Sequence, residues 1–151
     1  MAETAQSDAP AAGLHVVVSS VASDAHTWNL VYLQLVLAEA GHRVTNLGPC
    51  VPAELLVARC LTVRPDLVVL STVNGHGVFD GTNAITALRA QPELSATPVV
   101  IGGKLGIDGS HGTAHAEPLL AAGFDAVFED GAGTAAAFRT FLARIGTRVR
   151  T

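Results

Sequence analysis

Short apolar runs of strand length alternate along the chain with longer segments whose apolar residues recur every three or four positions. Apolar runs bounded by turn residues are typical of buried strands, and the three-to-four spacing is typical of helices packed on one side. The pattern predicts strands at Leu14–Ser20, Arg43–Leu47, Asp66–Val73, Pro98–Gly102 and Phe124–Phe128. It predicts helices at Thr27–Ala40, Ala53–Val63, Gly81–Ala90, Ala114–Ala122 and Gly133–Ile145.

This alternation indicates an α/β fold built on a parallel sheet. Asp66–Val73 is almost wholly Val and Leu, as expected for a strand that is buried on both faces. Repeated strand–helix units predict a flavodoxin-like (Rossmann-type) doubly wound sheet of five parallel strands in the order 2-1-3-4-5, with helices on both faces. We expect one domain over residues 14–151, preceded by a flexible tail at residues 1–13.

Composition narrows the kind of partner. The 151 residues carry a formal net charge of −4, and they contain no run of Lys and Arg that would favour nucleic acid or anionic lipid. The sequence contains no uninterrupted apolar stretch of about 18 residues, so it predicts no membrane span. Cys50 and Cys60 form no CxxC motif and follow no secretory leader, which predicts free thiols and a cytoplasmic location. A small molecule or another protein remains as the expected partner.

In a doubly wound sheet, ligands bind beyond the carboxyl ends of the strands, where the winding reverses. The loop after the first strand contains Asp24 and His26. An imidazole that binds a metal needs its second ring nitrogen held, and a carboxylate two residues away in a turn can hold it. The alternative interpretation is that Asp24 caps the following helix and His26 is a solvated loop residue.

Two further loops are predicted to reach the same crevice. Ser71 and Val73 lead into Asn74 and Gly75 after the third strand, and Gly102–Gly103 ends the fourth. Glycine lets a backbone approach a bulky ligand closely, and serine adds a hydroxyl without bulk. Ordinary turn chemistry is the alternative for either loop taken alone.

Together these residues resemble the DxHxxG…SxL…GG pattern of cobalamin-binding domains in adenosylcobalamin-dependent mutases and methionine synthase. The likeness extends from Leu14 to about Ile145 and is greatest to the small-subunit family of glutamate (methylaspartate) mutases. Two positions depart from the pattern: Asn29 replaces the motif glycine, and Val73 replaces leucine. Val73 is a mild change in volume, whereas Asn29 changes the local geometry expected of the loop, although Asn is among the few residues that tolerate a positive φ.

The resemblance implies that adenosylcobalamin binds with its benzimidazole displaced from cobalt. His26 would be the cobalt (metal) ligand, and Asp24 would hold its second nitrogen. The implied cofactor-binding residues are Asp24, Ala25, His26, Thr27, Asn29, Ser71, Val73, Asn74, Gly75, Gly102 and Gly103.

The resemblance also implies a function. The protein would be a cobalamin-binding subunit of a carbon-skeleton mutase, an isomerase that interconverts glutamate and 3-methylaspartate. It would have no catalytic residues of its own and would serve a larger, barrel-type catalytic subunit. The alternative is a corrinoid shuttle for methyl transfer. A flavodoxin or receiver-like domain without cobalamin is a third hypothesis, which the paucity of aromatic residues and the Ser71 at the end of the third strand disfavour.

Overall fold

The fold is described from a computed structural model, which describes residues 13–22, 28–72, 77–103, 113–129 and 138–145. Within them, five strands form one parallel sheet in the order β2-β1-β3-β4-β5. The strands are β1 His15–Ser20, β2 Arg43–Gly48, β3 Leu67–Thr72, β4 Val99–Gly103 and β5 Ala126–Glu129. The predicted fold class and strand order are both confirmed.

Four helices connect these strands, and residues 138–145 are also helical. The helices are α1 Trp28–Glu39, α2 Ala53–Val63, α3 Gly77–Arg89 and α4 Thr113–Ala122, and a short 3₁₀ turn covers Pro92–Leu94. No helix in the described part of the chain is long and apolar enough to cross a membrane.

Helix α3 begins four residues before the predicted start at Gly81. In the sequence Gly81 suggests a helix boundary, but in the structure it lies inside the helix. A Cβ added at Gly81 would lie 2.7 Å from Cδ1 of Ile101 and 3.2 Å from Cδ2 of Leu119. The glycine is therefore explained by the close approach of α3 to β4 and α4.

Side chains alternate between the two faces of the sheet and form a separate apolar core on each. On one face, Val17, Val68 and Ile101 pack with residues of α2, α3 and α4. On the other face, Val18, Val69 and Val100 pack with α1 and residues 138–145. The sheet is thus covered on both sides, as its doubly wound topology requires.

Polar contacts tie the strands together at the amino edge of the sheet, where the strands begin. Asp66 accepts a hydrogen bond from the His15 amide at 2.9 Å, and Asp125 accepts one from the Val99 amide at 2.8 Å. Arg89, at the end of α3, forms an ion pair with Asp125 at 2.8 Å. Its guanidinium also donates to the carbonyls of Gly123, Leu94, Ser95 and Thr97. This network joins the turns that precede β4 and β5.

Candidate functional site

The candidate site lies at the opposite edge, where β1 and β3 end side by side. Ser20, the last residue of β1, is aligned with Ser71 of β3. The chain leaves β1 toward α1 on one face and leaves β3 toward α3 on the other, as the two cores show. This is the point where the winding of the sheet reverses, and in open α/β sheets it is the usual place for a ligand.

A row of small residues crosses the sheet at this edge. Ser20, Ser71 and Gly102 are in register on three adjacent strands, and Phe128 of β5 ends the row. One position earlier, the aligned residues of β1, β3 and β4 on the opposite face are Ser19, Leu70 and Ile101. The side chains of Ser19, Ser20, Ser71 and Thr72 are all at most 4% exposed, so hydroxyl groups are buried at the ends of both β1 and β3.

The hydroxyls of β1 bond to their own strand end. Ser19 Oγ donates to the Ser20 carbonyl at 2.9 Å, and Ser20 Oγ donates to the Val21 carbonyl at 3.3 Å. Buried hydroxyls are costly unless they are hydrogen-bonded, so these bonds allow polar residues to end a strand whose earlier residues are apolar. The result is a polar, unbulky edge above an apolar sheet.

Gly102 has a structural explanation that the sequence did not reveal. A Cβ at this position would lie 2.9 Å from the carbonyl oxygen of Phe128 and 3.4 Å from its Cβ. The close approach that excludes a side chain is therefore made by the neighbouring strand β5. Gly103 follows in the same strand, where it is aligned with Thr72 and Glu129.

Most of the predicted cofactor-binding residues lie outside the described residues. These are Asp24, Ala25, His26 and Thr27 in the first loop, and Val73, Asn74 and Gly75 in the second. Asn29 is described only as part of the backbone of α1. Of the predicted set, the structure brings together Ser71, Gly102 and Gly103. Ser20 is aligned with Ser71, so the ends of β1 and β3 are adjacent.

Several residues at this edge, including Ser20, Phe128 and Asp80, were not in the predicted set. Ser20 and Phe128 belong to the row because of strand register, which the sequence does not display. Asp80, 9% exposed, lies in the first turn of α3, where the helix dipole favours a negative charge. An acid near the start of a helical pattern was the available signal for Asp80.

The two histidines whose side chains are described lie at the amino edge, away from this site. His15 Nε2 is 2.9 Å from Thr45 Oγ1, and His42 Nδ1 accepts a hydrogen bond from the Leu14 amide at 3.0 Å. Burial lowers the pKa of both, and Arg43 lowers that of His15 further. Within the described residues, no group of three or more His, Cys, Asp or Glu side chains could hold a metal ion.

Both cysteines are free thiols, as predicted. Cys50 is exposed, whereas Cys60 lies in the core formed with α2 and α3. Burial raises the pKa of Cys60 to about 11, so its thiol is neutral at physiological pH.

Comparison with known proteins identifies the domain. The B12 binding domain family matches residues 14–139, which is most of the chain and includes all five strands. The chain belongs to this family. The edge formed by Ser20, Ser71 and Gly102 lies within the matched residues.

Curated relatives of this B12-binding domain have two kinds of function. The HTH-type transcriptional repressor CarA of Myxococcus xanthus is 38% identical over 100 residues, which are 66% of this chain and 33% of CarA. The chain thus spans about a third of that relative's length. The glutamate mutase sigma subunit of Treponema denticola is 26% identical over 118 residues, which are 78% of this chain and 84% of the subunit.

Solved structures support the fold of the B12-binding domain. A cobalamin-binding protein from Desulfitobacterium hafniense has a TM-score of 0.64 at 24% identity, covering 86% of this chain and 59% of that protein. The chemotaxis response regulator CheY4 of Vibrio cholerae has a TM-score of 0.66 at 17% identity, covering 88% and 98%. At these identities the likeness concerns the flavodoxin-like fold alone.

Proposed function

We propose that this cobalamin-binding domain holds adenosylcobalamin for a larger catalytic subunit of a carbon-skeleton mutase, with glutamate mutase as the leading candidate. The observation that carries the proposal is the family match over residues 14–139, which places the aligned small residues at the end of β1, β3 and β4 inside a B12-binding domain. The similarity to glutamate mutase sigma subunits over 84% of the sigma subunit's length supports the choice of mutase.

The described residues fit this cofactor. A corrinoid is large, and the edge formed by Ser20, Ser71 and Gly102 carries no long side chain. The buried hydroxyls of Ser20, Ser71 and Thr72 add polar character where the displaced nucleotide tail would enter. Because Gly102 and Gly103 have no side chains, the end of β4 does not obstruct that path. We assign Ser71, Gly102 and Gly103 to the tail.

The two loops that complete the site carry the remaining roles in the proposal. His26 would hold the cobalt, and Asp24 would accept a hydrogen bond from its second ring nitrogen, which would fix the tautomer and raise the basicity of the ligand. Ala25, Thr27 and Asn29 would contact the cofactor beside His26. Val73, Asn74 and Gly75 would contact it from the segment that follows β3.

Bound adenosylcobalamin supplies a cobalt–carbon bond whose homolysis starts a radical rearrangement, such as the interconversion of glutamate and 3-methylaspartate. This chain's residues would bind and orient the cofactor for the partner. The amino-acid substrate is held by the larger, barrel-type subunit in this proposal. The domain is therefore an isomerase component that is not catalytic alone.

A cobalamin-binding regulatory part of a transcriptional repressor is the second candidate. The 38% identity to CarA, which exceeds the 26% identity to the sigma subunit, favours it. The same cobalamin edge serves both candidates. They differ in what covers the upper face of the cofactor.

Axial ligation is the first property to test. We expect the purified protein to bind adenosylcobalamin and hydroxocobalamin in an absorption titration. After reduction to Co(II), protein labelled with ¹⁵N-histidine should show superhyperfine splitting from a labelled nitrogen in its electron paramagnetic resonance spectrum. His26→Ala should abolish that splitting and weaken binding by at least about tenfold.

His76→Ala is the matched control, because His76 is a histidine that follows the end of β3 in the sequence and is not among the predicted cofactor-binding residues. It should keep the splitting. Retention of the splitting in His26→Ala, or a spectrum with benzimidazole nitrogen on cobalt, contradicts the assignment of His26. Absence of any corrinoid binding contradicts the proposed function itself.

Reconstitution separates the two candidates. With a glutamate mutase large subunit and adenosylcobalamin, the mutase hypothesis predicts formation of 3-methylaspartate from glutamate, which His26→Ala abolishes and His76→Ala retains. Cobalamin binding without any turnover in this mixture would favour the repressor candidate.

A further inference from the structure

The outward side of α1 is apolar and exposed. Val31, Tyr32 and Leu35 are 50%, 53% and 58% exposed, and their helical spacing places them together on one side. We refer to these three residues as the α1 patch. No charged residue occurs from Trp28 through Ala38. A helix that is apolar all round is normally buried all round. We therefore expect another protein surface to pack against the α1 patch.

The other described helices do not share this feature. Among the side chains that the structure describes, α2, α3 and α4 each expose one large apolar residue, respectively Leu55, Phe79 and Leu120. Single exposed apolar residues are common on protein surfaces, whereas contiguous ones mark interaction sites. Residues 138–145 cover the same face of the sheet as α1, yet they expose Arg139 and Arg144.

Other residues of α1 pack toward the rest of the subunit. Leu30 and Leu37, on the inner side of α1, are 2% and 0% exposed. Gln34 turns toward the sheet, where its Oε1 accepts a hydrogen bond from Asn46 Nδ2 at 3.1 Å. The side-chain amide of Gln34 is therefore bonded to β2.

We propose that the α1 patch is the interface of a homodimer in which two α1 helices pack antiparallel about a two-fold axis near Leu35. A two-fold axis brings a surface against its own copy, so the surface must be self-complementary. A patch without charge meets this condition. A charged patch on a chain with a net charge of −4 would repel its copy.

Glu39 supplies the argument for the antiparallel arrangement. It is exposed at the C-terminal end of α1, where the helix dipole disfavours a negative charge, and the last turn of α1 contains no basic residue. In an antiparallel pair centred on Leu35, residue 39 of one copy lies opposite residue 31 of the other. Each Glu39 then lies beside the first turn of the other α1, where the dipole favours a negative charge. The antiparallel pairing thus gives the Glu39 carboxylate of each copy a favourable helix dipole from the other copy.

The size of the patch sets the expected strength. Stable complexes bury about 800 Å² on each partner, and one pair of helices with three large side chains each buries less. We therefore expect a reversible dimer that populates at micromolar concentration. The interface needs no cofactor, so this inference goes beyond the proposed function and does not depend on it.

Sedimentation velocity of the full chain without cobalamin, from about 1 to 100 µM, tests the dimer. The wild type should shift from monomer to dimer over this range. Leu35→Lys places two like charges at the axis and should raise the dissociation constant at least about tenfold. Leu55→Lys makes the same change at a leucine of α2 that is 48% exposed, and it should associate like the wild type.

Glu39→Lys tests the orientation. It places a positive charge beside the partner's first helical turn and should weaken the dimer several-fold, by an amount that added salt reduces. Circular dichroism establishes that each variant is folded. A wild type that stays monomeric throughout the range overturns the proposal and indicates that another protein covers the patch. Equal association of the wild type and Leu35→Lys overturns it as well.

Discussion

Gly102 shows how one residue can suggest a ligand site for a reason that is partly structural. Its lack of a side chain agrees with the proposed path of the nucleotide tail, but the nearest atom to an added Cβ is the carbonyl oxygen of Phe128, at 2.9 Å. That contact lies within the sheet and exists without any ligand. A substitution that adds a side chain at Gly102 is therefore expected to lower the stability of the protein even when no ligand is present.

We expect Gly102→Ala to lower the free energy of unfolding by about 1–3 kcal/mol, because the added methyl group overpacks the space between β4 and β5. Urea denaturation of the cobalamin-free protein measures the loss. The double variant Gly102→Ala with Phe128→Ala should recover none of it, since the Phe128 carbonyl and Cβ remain in alanine. A double variant more stable than Gly102→Ala would show that the Phe128 ring caused the clash.

At the scale of elements, the start of β1 depends on a histidine from the turn before β2. The Leu14 amide donates to His42 Nδ1 at 3.0 Å, and the Arg43 amide donates to the Leu14 carbonyl at 2.8 Å. Protonation of Nδ1 would remove the lone pair that accepts the first bond. The beginning of the β1–β2 pair is therefore sensitive to pH.

Burial lowers the pKa of His42 below its usual value of 6.5, so below that pH the unfolded chain binds more protons than the folded one. The contribution of His42 to stability is present above pH 6.5 and is lost as the pH falls through the folded pKa. We expect His42→Asn, whose amide oxygen can accept the Leu14 bond, to reduce the loss of unfolding free energy between pH 7.5 and 5.5. Urea denaturation at both pH values measures it. An unchanged difference would contradict the prediction, and His15 should retain part of the pH dependence because its pKa is also lowered.

The boundaries of the elements show where sequence patterns are informative. Helix α2 is found at the predicted Ala53–Val63, because a regular apolar spacing between turn residues identifies it. Helix α3 was predicted to start four residues too late, because Gly81 has the conformational freedom of a turn residue but serves helix packing. The short 3₁₀ turn at Pro92–Leu94 was not predicted. Too few residues form it to show a period.

At the scale of the whole molecule, the amino and carboxyl edges of the sheet differ in the residues that they carry. The amino edge holds the strands together through Arg89, Asp66 and Asp125. The carboxyl edge carries the small and hydroxyl-bearing residues of the proposed cobalamin site. Stability and binding should therefore be separable by substitution.

We expect Arg89→Lys to lower the free energy of unfolding by about 2 kcal/mol, because lysine cannot reproduce the planar set of donors that contacts Gly123, Thr97 and Asp125. The dissociation constant for adenosylcobalamin should change by less than about twofold, because Arg89 lies at the opposite edge from the site. Urea denaturation and absorption titration measure the two quantities. Arg59→Lys, at an exposed position of α2, is the control and should change neither. A tenfold loss of affinity in Arg89→Lys would show that the edges are coupled.

The sequence by itself determined the fold class, the strand order and the family resemblance, because hydrophobic period and turn residues are local and the motif positions recur at domain-scale spacing. Ser71, Gly102 and Gly103 could be predicted as candidates because each lies at or near the carboxyl end of a strand that the pattern identifies. Only the tertiary structure aligned Ser20 with Ser71, set Phe128 against Gly102 and joined Arg89 to residues 34 and 36 positions away. Register and long-range contacts depend on how whole elements pack, and no local pattern encodes that packing.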